Sequence, residues 1–145
     1  STAPLAITPI ADADVATVIA LWQACGLTRP WNDPAADIAL ARRGPSSTIL
    51  IGRAGGAIVA TAMVGHDGHR GWVYYVATDP DRRAEGIGRA IMNAVEDWLR
   101  AAGIPKLQLL VRPENSGVAA FYQSIGFGEQ QVLFFSKWLD GREPT

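Results

Sequence analysis

Apolar residues along the chain follow two periods. After Ile87, positions Ala90, Ile91, Ala94, Val95, Trp98 and Leu99 recur every three to four residues until Gly103, which predicts an amphipathic helix burying one face on a sheet. Val15, Val18, Ile19 and Trp22 show the same spacing behind Asp12 and Asp14, either of which can cap a helix ending near Gly26. Asp33-Pro34, an N-cap followed by a proline at the first helical position, predicts a second short helix that stops at Gly44-Pro45. Leu5–Ile10, Thr48–Ile51, Ala57–Val64 and Trp72–Thr78 read as strands. Turns at Gly55-Gly56 and Asp67-Gly68 join the last three into an antiparallel meander. Leu107–Val111 reads as a buried strand ended by Pro113, Ser116–Ser124 as a helix, and Val132–Trp138 as a final strand. The predicted order is therefore β-α-α-β-β-β-α-β-α-β.

Composition narrows the class. The chain has 145 residues, 48% of them hydrophobic, which is the size of one domain spanning 1–145 and enough to bury roughly two thirds of its unfolded surface. Neither repeats nor low-complexity tracts divide it. A formal net charge of -1 argues against nucleic-acid and membrane-surface partners, both of which need a basic excess or patch. No basic stretch leads into an apolar run, and no window approaches the ~18 apolar residues of a membrane helix, so a cytoplasmic location is expected. The single cysteine, Cys25, can form neither an internal disulfide nor a Cys-x-x-Cys pair. It falls at a helix C-terminus, where nothing lowers a thiol pKa, and reads as a buried helix residue rather than a nucleophile.

The chemistry concentrates at Asp79-Pro80-Asp81-Arg82-Arg83-Ala84-Glu85-Gly86-Ile87-Gly88-Arg89, where a strand passes into the most regular helix. Gly86 and Gly88 lack side chains, so backbone N–H groups can approach an anion at a helix N-terminus, where the macrodipole also favours negative charge. Arg82, Arg83 and Arg89 add positive charge. A P-loop would need Gly-x-x-x-x-Gly-Lys-Ser/Thr, which is absent. A dinucleotide fingerprint would need a third glycine where Ile91 stands and an acid where Lys106 stands.

Read as Arg83-x-x-Gly86-x-Gly88, the junction resembles the coenzyme A pyrophosphate loop of the GNAT superfamily, the GCN5-related N-acetyltransferases. Asn115, Phe121-Tyr122 and Gly126-Phe127 resemble the Asn…Tyr…Gly-Phe signature that follows in that family. The element order also fits its fold, an α/β (α+β) architecture with a mixed central sheet of about six strands and helices on both faces. Arg29-Pro30-Trp31-Asn32-Asp33-Pro34 and Asp67-Gly68-His69-Arg70-Gly71 resemble strings of the YpeA-like bacterial acetyltransferases.

The resemblance implies direct transfer of an acetyl group from acetyl-CoA to a primary amine, with no metal and no covalent intermediate. Val76, Ala77 and Thr78 would offer backbone groups to the pantetheine arm and thioester carbonyl; otherwise they form an ordinary central strand. Arg83, Ala84, Glu85, Gly86, Ile87, Gly88 and Arg89 would wrap the pyrophosphate, with Glu85 pointing outward; otherwise they are a solvated basic turn. Asn115 would contact the cofactor arm, a role compatible with capping the helix it precedes. Tyr122 would protonate the departing thiolate and touch the cofactor; otherwise Phe121-Tyr122 is a core aromatic pair. Trp31 and Asn32 would line the acceptor pocket or simply cap a helix.

The general base is not assigned. Some relatives carry a glutamate on the strand after the long helix, where Leu110 stands here. Glu114, His66, His69, Asp33, Tyr74, Tyr75 and a backbone-held water remain candidates. His66 and His69 alone make a poor metal site. A peptide N-terminus, a lysine and a small-molecule amine all remain open as acceptor, acetyl and longer acyl groups as donor, and monomer and homodimer as assembly. The alternative function is a regulatory module that binds acyl-CoA without catalysis.

Overall fold

The computed structural model describes residues 4–143, which form two compact units divided between Leu110 and Val111.

The first unit is built on one five-stranded sheet in the order β1 (Ala6–Pro9), β2 (Ser47–Ala54), β3 (Ala57–His66), β4 (Gly71–Thr78), β5 (Leu107–Gln108). The first four strands run antiparallel, and β5 joins β4 in parallel. Helices α1 (Val15–Ala24) and α2 (Pro34–Ala41) cover one face, where Val18, Trp22, Ile38 and Ala41 meet Ile49, Ile51 and Ala77. Helix α3 (Ile87–Ala101) buries Ile87, Ile91, Met92, Val95 and Leu99 against the opposite face, as its period predicts.

Local chemistry explains the element ends. Asp33 Oδ1 accepts the Ala36 N–H at 3.2 Å ahead of Pro34, so the cap read from sequence opens α2. At the start of α1 the two aspartates divide the work: Asp14 accepts the Ala11 N–H at 2.9 Å and pairs with Arg53, while Asp12 binds Arg42 at 2.8 Å near the end of α2. The Asp67-Gly68 turn closes as expected, with Asp67 Oδ1 accepting the N–H groups of His69 at 2.9 Å and Arg70 at 2.8 Å. These two bonds hold the Asp67 carboxyl below its ordinary pKa. Beyond α3, the N–H of Gly103 bonds Arg100 O and that of Ile104 bonds Leu99 O, a Schellman closure.

Gly71 allows the closest helix–sheet approach. A Cβ there would lie 2.5 Å from Leu99 Cδ1 and 2.7 Å from Cδ2. This absence of a side chain lets the last turn of α3 sit directly on β4.

The second unit carries α4 (Ser116–Ser124), with the bounds read from sequence. Val132–Trp138 corrects that reading: it forms no strand, and Val132, Leu133, Phe134 and Phe135 are largely exposed. Its residues suit a pleated strand, but a strand exists only where another supplies a hydrogen-bonding edge. The sheet therefore has five strands rather than six. The expected strand Leu107–Val111 is also cut to Leu107–Gln108, because only Gly71 and Trp72 pair with it.

Candidate functional site

The parting of β4 from β5 sets the geometry of the site. From Val73 onward β4 has no ladder partner on its β5 side within the first unit, so backbone groups on that edge stay available. On its other side β4 stays paired to β3, with Ala77 opposite Thr61 and Thr78 opposite Ala60. Val76, Ala77 and Thr78 thus lie at the end of a strand with one open edge.

Just before them the ladder is broken by a bulge. Tyr74 pairs with Met63 and Ala77 with Thr61, so Tyr75 and Val76 together oppose Ala62. Tyr75 takes φ 52°, a left-handed conformation that an aromatic residue rarely adopts. Three contacts hold it there. Its ring stacks on Trp22 at 3.8 Å between centroids and 7° between planes. Its carbonyl accepts the Thr61 hydroxyl at 2.9 Å, and Thr61 Oγ1 in turn accepts the Trp22 indole N–H at 2.8 Å. Its own hydroxyl donates to Asp37 Oδ2 on α2 at 2.7 Å. Burial, followed by this bond and the nearby negative charge, raises the Tyr75 hydroxyl pKa and keeps it a donor. Sequence reasoning missed this network, which joins residues as far apart as Trp22 and Tyr75. One signal was present: the indole N–H of Trp22, on the apolar face of a helix, needs an acceptor once buried.

β4 leads through a 3₁₀ turn, Pro80–Arg82, into α3. Asp79 accepts the Asp81 N–H at 3.0 Å and its own N–H bonds Val59 O at 2.8 Å, which ties the turn to β3. Ala84 at φ 68° and Gly86 at φ 78° then take left-handed conformations, and Gly86 is the N-cap of α3. The chain therefore doubles back, so the N–H groups of Ile87, Gly88 and Arg89 open a 15-residue helix with no carbonyl inside it to accept them. Such a concave, donor-lined turn with a helix dipole behind it suits a pyrophosphate. Arg83 and Arg89 are exposed around it, whereas Arg82 is paired with Glu85 at 2.9 Å. Glu85, expected to point outward, is half-exposed and engaged by that arginine.

Cys25 caps the end of α1, half-buried, with its thiol donating to the Thr78 carbonyl at 3.3 Å. It thus packs α1 onto the end of β4. Trp31 and Asn32 lie in the turn between α1 and α2, where the Asn32 N–H bonds Arg29 O at 3.1 Å and Trp31 is 36% exposed.

In the second unit, Asn115 occupies the N-cap position of α4 without a side-chain cap bond, so its amide is not consumed by capping. Tyr122 is 9% exposed on α4, with edge-on contacts to Phe121 at 5.1 Å and Phe127 at 5.5 Å. Burial pushes its hydroxyl pKa up to about 12. Among base candidates, Asp33 is committed to capping α2, and His66 Nδ1 accepts the Gly68 N–H at 3.1 Å. Tyr75 is committed to Asp37, while Tyr74 is 49% exposed. Leu110 is also 49% exposed. Among the described residues no group of three or more His, Cys, Asp or Glu could hold a metal ion, and no helix is long and apolar enough to cross a membrane.

Comparison with known proteins gives the family and the fold. Residues 16–127 match the family model described as "Acetyltransferase (GNAT) family". "Acetyltransferase YE1169" of Yersinia enterocolitica is 39% identical over 126 residues, covering 87% of this chain and 89% of that protein. Among solved structures, AAC(6')-Iy in complex with a CoA-containing bisubstrate analogue superposes with a TM-score of 0.81 at 18% identity, over 94% of this chain and 99% of the other. The ribosomal-protein-S18-alanine N-acetyltransferase of Escherichia coli gives 0.75 at 23% identity, over 88% and 80%. At these identities the two structures establish the shared fold.

Proposed function

Because the chain belongs to the GNAT family of acetyltransferases, whose acyl donor is acetyl-CoA, we propose that it moves the acetyl group directly onto a primary amine of a peptide N-terminus, a lysine or a small molecule. The observation that carries this reading is the junction at Gly86, where a left-handed N-cap opens α3 with its first N–H donors unpaired within the helix, one short turn after the end of β4. The names of the two solved neighbours, one bound to an acetylneamine analogue and one an alanine N-acetyltransferase, support a nitrogen acceptor.

Bound acetyl-CoA supplies an activated thioester and a sulfur leaving group. The chain's own groups would divide the remaining work. Main-chain donors from Arg83 to Arg89, with the exposed guanidinium groups of Arg83 and Arg89, hold the pyrophosphate. Backbone groups of Val76, Ala77 and Thr78 hold the pantetheine arm, and one N–H aimed at the thioester carbonyl stabilises the charge that grows there, an effect worth roughly 3 kcal/mol in studied enzymes. By resemblance to the family signature, Asn115 would contribute its amide to the arm and Tyr122 would donate to the departing sulfur, while Trp31 and Asn32 would border the acceptor. Transfer without a covalent enzyme intermediate predicts intersecting double-reciprocal lines when acetyl-CoA and amine are both varied. Parallel lines would instead require an acetylated side chain on the enzyme.

A further inference from the structure

Asp37 differs from the other acidic residues of the first unit in its partners: Asp33, Asp67 and Asp79 accept backbone N–H groups, and Asp81 is exposed. Asp12, Asp14, Glu85, Glu96 and Asp97 are each matched by an arginine. Asp37 is half-buried, yet among the described residues no cation pairs with it. Its Oδ2 accepts the Tyr75 hydroxyl at 2.7 Å, and no hydrogen bond among the described residues engages Oδ1. A partly desolvated carboxylate with an open oxygen favours a cationic ligand.

Its position is fixed relative to the proposed thioester path. Tyr75 immediately precedes Val76, and the Trp22 stack and the Thr61 bond hold Tyr75 in its bulge. The bulge has a second effect. Met63 and Thr61 face α1 and α2, so Tyr74 opposite Met63 lies on the same side of the sheet as Tyr75, where an unbroken strand would separate neighbours. Tyr74 is half-exposed there and stacks on Trp72 at 6.5 Å, 12° between planes. A carboxylate and aromatic faces on one side of β4 both attract positive charge.

Resting on the transferase reading above, we propose that Asp37 is a specificity-determining residue that binds an ammonium group of the acceptor other than the nitrogen acetylated, so that the preferred acceptor is a small amine with at least two amino groups. The reacting nitrogen must be unprotonated to attack, and a carboxylate beside it would favour the protonated form. Asp37 therefore suits the second charge of a diamine. Tyr75 acts as its positioning residue, and Tyr74 lines the same side.

The test compares α,ω-diamines of increasing chain length with the monoamines of matching length, using thiol release from acetyl-CoA. At least one diamine should exceed its monoamine in kcat/KM by about tenfold or more, mainly through KM, as expected for one added charge contact. Asp37→Asn should remove that advantage, lowering kcat/KM for the diamine by a much larger factor than for the matching monoamine, and Asp37→Glu should restore part of it. Equal rates for diamine and monoamine in the wild type, or a diamine advantage that survives in Asp37→Asn, would overturn the inference and leave the transferase reading intact. Absence of turnover with every amine would overturn both.

Discussion

Replacing Tyr122 with phenylalanine is expected to lower kcat by about 10- to 100-fold, with acetyl-CoA affinity nearly unchanged. The ring would remain packed against Phe121 and Phe127, because only the hydroxyl is removed. The size follows from proton affinities. Burial holds the Tyr122 hydroxyl at about 12, well above the ~8.5 of a free thiol, so full proton transfer to the leaving sulfur would be uphill. A hydrogen bond to the growing negative charge remains favourable, and its loss costs about 1.5–3 kcal/mol. The raised pKa also fixes the sign of the pH response: the donor is protonated below about 12, so Tyr122 causes no fall in kcat from neutral pH to mildly alkaline pH. Steady-state kinetics of the variant across that range measure both effects. A kcat within twofold of wild type would reduce Tyr122 to a core aromatic.

The second large effect is expected at Gly86. Gly86→Glu should weaken acetyl-CoA binding by about 100-fold or more in a calorimetric titration. Two costs act together. Any side chain must adopt φ 78°, at about 1–2 kcal/mol for a left-handed residue, and this one also brings a carboxylate to the place proposed for pyrophosphate. Gly86→Ala carries only the first cost and should fall between wild type and Gly86→Glu. Far-UV circular dichroism should stay constant across the three, because Gly86 is exposed and outside the core. An affinity within threefold of wild type in Gly86→Glu would show that the anion does not bind at this turn.

Much of this architecture was legible because it is written in local chemistry. The period of α3, its stop at Gly103, the Asp33-Pro34 start of α2 and the Asp67-Gly68 turn each depend on residues a few positions apart. Family motifs added the rest of the candidate site. What escaped was non-local. The run Trp72–Thr78 reads as an unbroken strand, since nothing in its β-forming residues announces that Tyr75 will take a positive φ. That conformation is imposed by Trp22, Thr61 and Asp37, from three other elements. Val132–Trp138 failed for the opposite reason: its residues favour a strand, but propensity cannot supply a partner edge. Ala84 is a third case, an ordinary residue at φ 68° in the turn that precedes Gly86.

The central claim is that acetyl leaves CoA only by passing to an amine. The most direct measurement follows, in one reaction of the wild-type protein with acetyl-CoA and a diamine, the free CoA thiol by its absorbance reagent and the acetylated amine by mass spectrometry. The account predicts that both appear in equal amounts and that neither appears when the amine is omitted. Thiol release at the same rate without amine, or with no acetylated product, would contradict it.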